Sequence, residues 1–107
     1  MRICDEVVRK YRYSAFIQGG SDLPERLRAR GFDTVLIAGT VTNCCCESSA
    51  RDAMMLNFRT VMVSDGCAAV TDAEHSASLL SFYLQFGDVL TAAECIAGLA
   101  TEERDAA

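Results

Sequence analysis

No apolar run in the 107 residues reaches the roughly 18 to 20 that a membrane-spanning helix needs, and the opening Met-Arg-Ile-Cys-Asp-Glu lacks the apolar core of a secretion signal. A cytoplasmic chain is the expectation. Positive charge is also short: ten Lys and Arg stand against fifteen Asp and Glu, a formal net charge of -5. That balance opposes the counterion release behind nucleic-acid binding and the attraction to anionic lipid, so neither a nucleic acid nor a membrane is an expected partner. A small molecule or another protein fits better.

Histidine is limited to His75, which has no second histidine at ligand spacing, and three of the six cysteines are adjacent (Cys44, Cys45, Cys46), so their side chains diverge. No metal and no other cofactor is expected. Cys4, Cys67 and Cys95 are too scattered for a disulfide framework and read as small buried hydrophobes. Repeats, low-complexity tracts and linkers are absent, and the single Pro and seven Gly fall where elements should start or stop. Residues 1–107 are therefore expected to form one domain, or a piece of one, around a modest core.

The apolar pattern alternates between two kinds of element. Val7 and Val8 lead to Lys10 as a short strand, and Ser21-Asp22-Leu23-Pro24 opens a helix that Gly31 ends. Thr34 to Gly39 is a continuous β-branched and apolar run, the pattern of a strand covered on both faces and central in a parallel sheet. A helix follows from about Cys45 to Leu56, with Asn57 as its stop, then a second buried strand over Thr60 to Asp65. Thr71 with Glu74 caps a third helix running to about Phe86; Asp88 to Leu90 makes a last short strand; and Thr91 with Glu94 repeats the capping spelling before Ile96 and Leu99. Strands alternating with helices imply an α/β fold: an open, mostly parallel Rossmann-like sheet with helices on both faces, three layers in all. Ligands in such sheets bind beyond the carboxyl ends of the strands, which directs attention to residues 39–46.

That segment leaves a buried strand and enters a helix, with Thr42 and Asn43 as candidate N-caps, so the three cysteines fall in the first turn. The roughly half positive charge of a helix N-terminus favours thiolate over thiol. Unpaired N–H groups of the same turn can receive the oxygen of a tetrahedral intermediate. Helix geometry alone leaves open which cysteine reacts, because successive residues point about 100° apart.

Gly39-Thr40-Val41-Thr42-Asn43-Cys44-Cys45-Cys46-Glu47-Ser48 and the Ala50-Arg51-Asp52-Ala53 that follows resemble the signature of the isochorismatase-like cysteine hydrolases, in which Thr-Asn-x-Cys-x-Glu-Ser precedes an Ala-Arg-Asp-Ala helix. The resemblance puts the nucleophile at Cys45 and leaves Cys44 and Cys46 for packing or pocket lining. Upstream, Val7 to Phe16 is similar to the family's valine-rich strand ending in a lysine, followed by Arg-Tyr-Ser-x-Phe, which puts the catalytic lysine at Lys10. Val61 to Ala69 is similar to the strand and acidic turn after the nucleophile helix. The resemblance also implies a cis peptide at Thr40-Val41, with the N–H groups of Val41 and Cys45 forming the oxyanion hole. It makes Tyr13 and Phe16 candidates for the pocket, or else for the core.

The family's third catalytic group is an aspartate at the end of a first strand that this sequence lacks, so the fold is expected to be incomplete at its N-terminus. Asp5 reads as an ordinary turn acid. Loss of the acid-base group implies a roughly 10²- to 10⁴-fold cost. The activity implied is hydrolysis of a small amide or ureido compound through a thioester on Cys45. Alternatives are a non-catalytic remnant or interaction module and isochorismate-type vinyl-ether hydrolysis, against which the cysteine counts. Relatives of this kind are commonly oligomers, and Ala92 to Ala100 would suit a homo-oligomeric interface. Glu47 and Asp52 read as helix-face acids, Arg51 as the partner of one of them, and His75 as a surface residue without a role.

Overall fold

The computed structural model describes residues 6–106, so Cys4 and Asp5 lie outside the described residues. The elements run α1 (Leu23–Ala29), β1 (Thr34–Thr40), a π-type turn (Thr42–Cys46) continuing into α2 (Glu47–Met55), β2 (Arg59–Ala68), α3 (Asp72–Gln85), β3 (Asp88–Leu90) and α4 (Ala92–Ala106). Both strand pairings are parallel, in the order β1-β2-β3. The fold is thus α/β with an open parallel sheet, as the alternating pattern implies.

Local chemistry accounts for the element ends. Pro24 stands in the first turn of α1, where a missing N–H costs nothing, and Gly31 after it takes φ 76°. Asn57 adopts φ 71° beyond α2, the left-handed stop its side chain tolerates. The N–H of Glu74 donates to Thr71 Oγ1 at 3.2 Å. At α4 the cap is reciprocal: Glu94 N–H to Thr91 Oγ1 at 3.1 Å and Thr91 N–H to Glu94 Oε1 at 2.9 Å.

Alternation along the strands divides the core. Met62 packs with Cys46, Ala50, Cys67 and Phe82 beneath α2 and α3. Val61 and Val63 point the other way, to Cys95 of α4. A third cluster joins Phe16, Val35, Ala53 and Phe58, where the two phenyl rings meet edge to face at 5.6 Å.

Two expectations are corrected. Residues 6–10 form no strand: Val7 is 91% exposed, and among the described residues no strand lies alongside to pair with it. Among the described residues β1 lies at one edge of the sheet, with Leu36 44% exposed, and β2 is central. A continuous apolar run reports that both faces can be covered, but how many strands flank it is a property of the whole sheet.

Candidate functional site

Pairing between β1 and β2 shifts where the site begins: Ile37 aligns with Met62, but Gly39 aligns with Cys67. Gly39 takes φ 123°, open only to glycine without strain, and Thr40 still pairs with Ala68 before the strand ends at the Thr40-Val41 peptide bond, which is cis. Val41 is the cap of the following turn and makes no side-chain cap bond; its carbonyl receives the N–H of Cys44 at 3.0 Å and of Cys46 at 3.2 Å. Neither Thr42 nor Asn43 is therefore the N-cap, because the turn begins one residue earlier. Thr42 is instead fully buried within it.

The three cysteines diverge from that turn. Cys46 points into the core at 4% exposure, and burial first, then neighbouring Cys67, pushes its thiol up to about 12. Burial likewise raises the Cys67 thiol, whose Sγ lies 3.5 Å from the Ile37 carbonyl. Cys44, half-buried, is raised by desolvation and then by the adjacent Cys45, with Lys10 acting weakly in the other direction. Cys45 is half-buried and faces the Lys10 ammonium, with Nζ 3.9 Å from Sγ.

Lys10 is held on an irregular loop rather than on a strand end. Its ammonium donates to the carbonyls of Arg12 at 3.0 Å and Tyr13 at 3.3 Å, which leaves its remaining hydrogen for Cys45. The loop is closed by Tyr11 N–H to the Gly20 carbonyl at 2.8 Å and folded around buried Ser14, whose Oγ accepts from the N–H groups of Phe16 and Ile17. Ala15 N–H donates to Ser49 Oγ at 3.0 Å, tying the lysine loop to α2, the helix that follows the cysteines. Ser49 is thus a positioning group that no motif reading singled out.

Tyr13 is exposed and, with Lys10, Tyr11 and Arg12, lines a shallow cleft of about 360 Å³. Of the two places left open for Phe16, it takes the core, at 3% exposure against Phe58. Glu47 pairs with Arg51 at 3.5 Å and accepts from Ser78 Oγ at 2.9 Å, a helix-face role. His75 is corrected: it is half-buried, with Nδ1 2.8 Å from Thr42 Oγ1 and Nε2 3.0 Å from the Ser64 carbonyl. Its position one turn into α3 faces it inward, which a histidine beside a capping glutamate does not announce. Among the described residues no group of three or more metal-ligating side chains converges, and no carboxylate forms an ion pair with Lys10.

The Isochorismatase domain model matches residues 2–94. The chain is 39% identical over 83 residues to nicotinamidase 3 of Arabidopsis thaliana, covering 78% of this chain and 40% of that protein. It is 39% identical over 87 residues to maleamate amidohydrolase of Pseudomonas putida, covering 80% of this chain and 40% of the relative. The solved structure of a cysteine hydrolase from Pseudomonas syringae superposes with a TM-score of 0.84 at 36% identity, over 91% of this chain and 50% of the other. The chain thus spans half the length, or less, of these relatives. With most of the sequence inside one family model and the fold shared with a solved member, the chain belongs to the isochorismatase family.

Proposed function

We propose that this chain carries the nucleophile of a cysteine amidohydrolase acting on a small amide or ureido compound. The observation that carries the reading is the 3.9 Å approach of Lys10 Nζ to Cys45 Sγ, at the first turn of a helix that follows a parallel strand. An ammonium at that distance and the positive end of a helix both attract negative charge, so the two lie where an attacking sulfur and an oxyanion would need them. Relatives named for hydrolysis of nicotinamide and maleamate support an amide substrate.

In the proposed reaction Cys45 Sγ bonds to the substrate carbonyl carbon, and the carbonyl oxygen becomes an oxyanion received by the N–H groups of Val41 and Cys45. The C–N bond then breaks, and the proton lost by the thiol ends on the departing ammonia or amine. Water cleaves the thioester, releasing the acid and restoring the thiol. Lys10 holds charge and moves no proton in this scheme. Homo-oligomerisation accompanies the reading, supported by Ile96 and Leu99 exposed on α4, and a reducing, cytoplasmic setting suits the free thiols at 44, 45, 46, 67 and 95.

A second reading, a non-catalytic interaction module, is favoured by the lack of a carboxylate paired with Lys10 among the described residues. The two separate in one experiment. Incubation with nicotinamide, maleamate and ureido amides, quenched in acid and followed by peptide mass spectrometry, should trap an acyl group on Cys45 alone, with ammonia released. No adduct and no ammonia from any of them would leave the interaction module standing.

A further inference from the structure

Opposite Lys10, the cysteine turn is gripped by α3. His75 Nε2 lies 3.0 Å from the Ser64 carbonyl, which can only accept, so Nε2 carries a proton. In the neutral ring Nδ1 is then an acceptor, and Thr42, 2.8 Å away, donates its hydroxyl hydrogen to it. Thr42 is 0% exposed, so its hydroxyl has no solvent to fall back on if His75 is lost. Three residues further along α3, Ser78 Oγ stands 3.4 Å from the Thr42 carbonyl and 2.9 Å from Glu47 Oε1. Ser78 has a single hydrogen to give, and the shorter contact takes it to Glu47, so the tie between the cysteine turn and α3 runs through the Thr42 side chain, three residues before Cys45.

We infer that His75 is a positioning residue for Cys45. As the Nε2–H tautomer, it accepts from Thr42 and fixes the turn so that Sγ stays within reach of the Lys10 ammonium. The inference rests on the reading of Cys45 as the nucleophile. His75 bonds to Thr42 and to β2, not to the sulfur, so it acts through the backbone of the turn.

The two ring nitrogens can be tested separately. His75→Asn keeps an acceptor near the Nδ1 position facing Thr42, whereas His75→Gln keeps a donor near the Nε2 position facing Ser64. The readout is the iodoacetamide alkylation rate of Cys45 at neutral pH in the full chain, resolved by peptide mapping with Cys44 as internal reference. His75→Gln and Thr42→Val should each slow Cys45 relative to Cys44, by up to about 10²-fold if the turn moves by about 1 Å. His75→Asn and Thr42→Ser, which keep the bond, should stay near the unsubstituted rate. The double variant His75→Gln with Thr42→Val should be no slower than either single one, since both remove the same bond.

Unchanged rates in both single variants, additive losses, or rescue by Gln and not Asn would overturn the inference; the last would reduce His75 to a brace between α3 and β2. The near-isosteric Thr42→Val and Thr42→Ser pair, checked by far-UV circular dichroism, keeps the test decisive if the histidine variants misfold. Lys10→Met distinguishes the levels. A Cys45 rate indifferent to Lys10 sinks the nucleophile reading together with the inference, whereas a Lys10-dependent rate indifferent to Thr42→Val sinks the inference alone.

Discussion

Cys45 differs from its two neighbours in what surrounds its sulfur. Cys46 is buried among Ala50, Met62 and Phe82, and Cys44 is desolvated beside another thiol, whereas Cys45 meets a cation. The neighbours should therefore be dispensable for chemistry. In a protein that releases ammonia from an amide, Cys45→Ala should remove turnover, while Cys44→Ser and Cys46→Ser should retain most of it; equal losses in all three would refute the assignment. Lys10→Met should slow alkylation of Cys45 at neutral pH, because it removes the cation that stands 3.9 Å from the attacking sulfur; an unchanged rate would leave Lys10 without a part in the site. The motif spelling was enough to select Cys45 by resemblance. His75 and Ser49 were invisible at this scale, because a single polar residue on a helix does not reveal which face it presents.

Elements were the most legible level. The capping pairs Thr71–Glu74 and Thr91–Glu94 open α3 and α4 where the spelling put them, since a cap is a contact across three residues and needs nothing distant. Thr91→Ala should cost about 1 kcal/mol, read as a lowered thermal midpoint. The start of the cysteine turn is hidden in the sequence because Val41, without a capping side chain, supplies the carbonyl that Cys44 and Cys46 share. Gly39 shows the same limit from another side. Open space surrounds it, yet its φ of 123° penalises any other residue, so Gly39→Ala should destabilise the chain by about 1 to 3 kcal/mol in chemical unfolding. A smaller loss would mean that the backbone leaves this conformation without penalty.

For the whole molecule, buried thiols set a pH limit. Folded Cys46 keeps its proton to about 12, whereas the unfolded chain gives it up around the ordinary 9.0. Between those values the unfolded state binds fewer protons, so stability is full below 9.0 and falls as pH rises through the window. Cys67, also raised by burial, adds a contribution of the same sign. Denaturant midpoints measured across that range should drop steeply, and Cys46→Ala should shallow the slope without removing it. An unchanged slope would mean that Cys46 titrates in the folded chain as it does in the unfolded one.

The same scale separates what was written locally from what was not. Strand and helix order, the capped helix starts and the cysteine signature are contiguous patterns, and periodicity with short-range hydrogen bonding determined them without reference to the rest of the chain. The edge position of β1 was not determined that way, because a strand's own residues do not count its neighbours. Nor were the approach of Lys10 to Cys45 across 35 positions and of Thr42 to His75 across 33. Those distances depend on the register shift after Ile37, on the Ser49 tie between the lysine loop and α2, and on α3 packing over the turn. Only the assembled tertiary structure specifies such contacts, because each requires several elements to be in place at once.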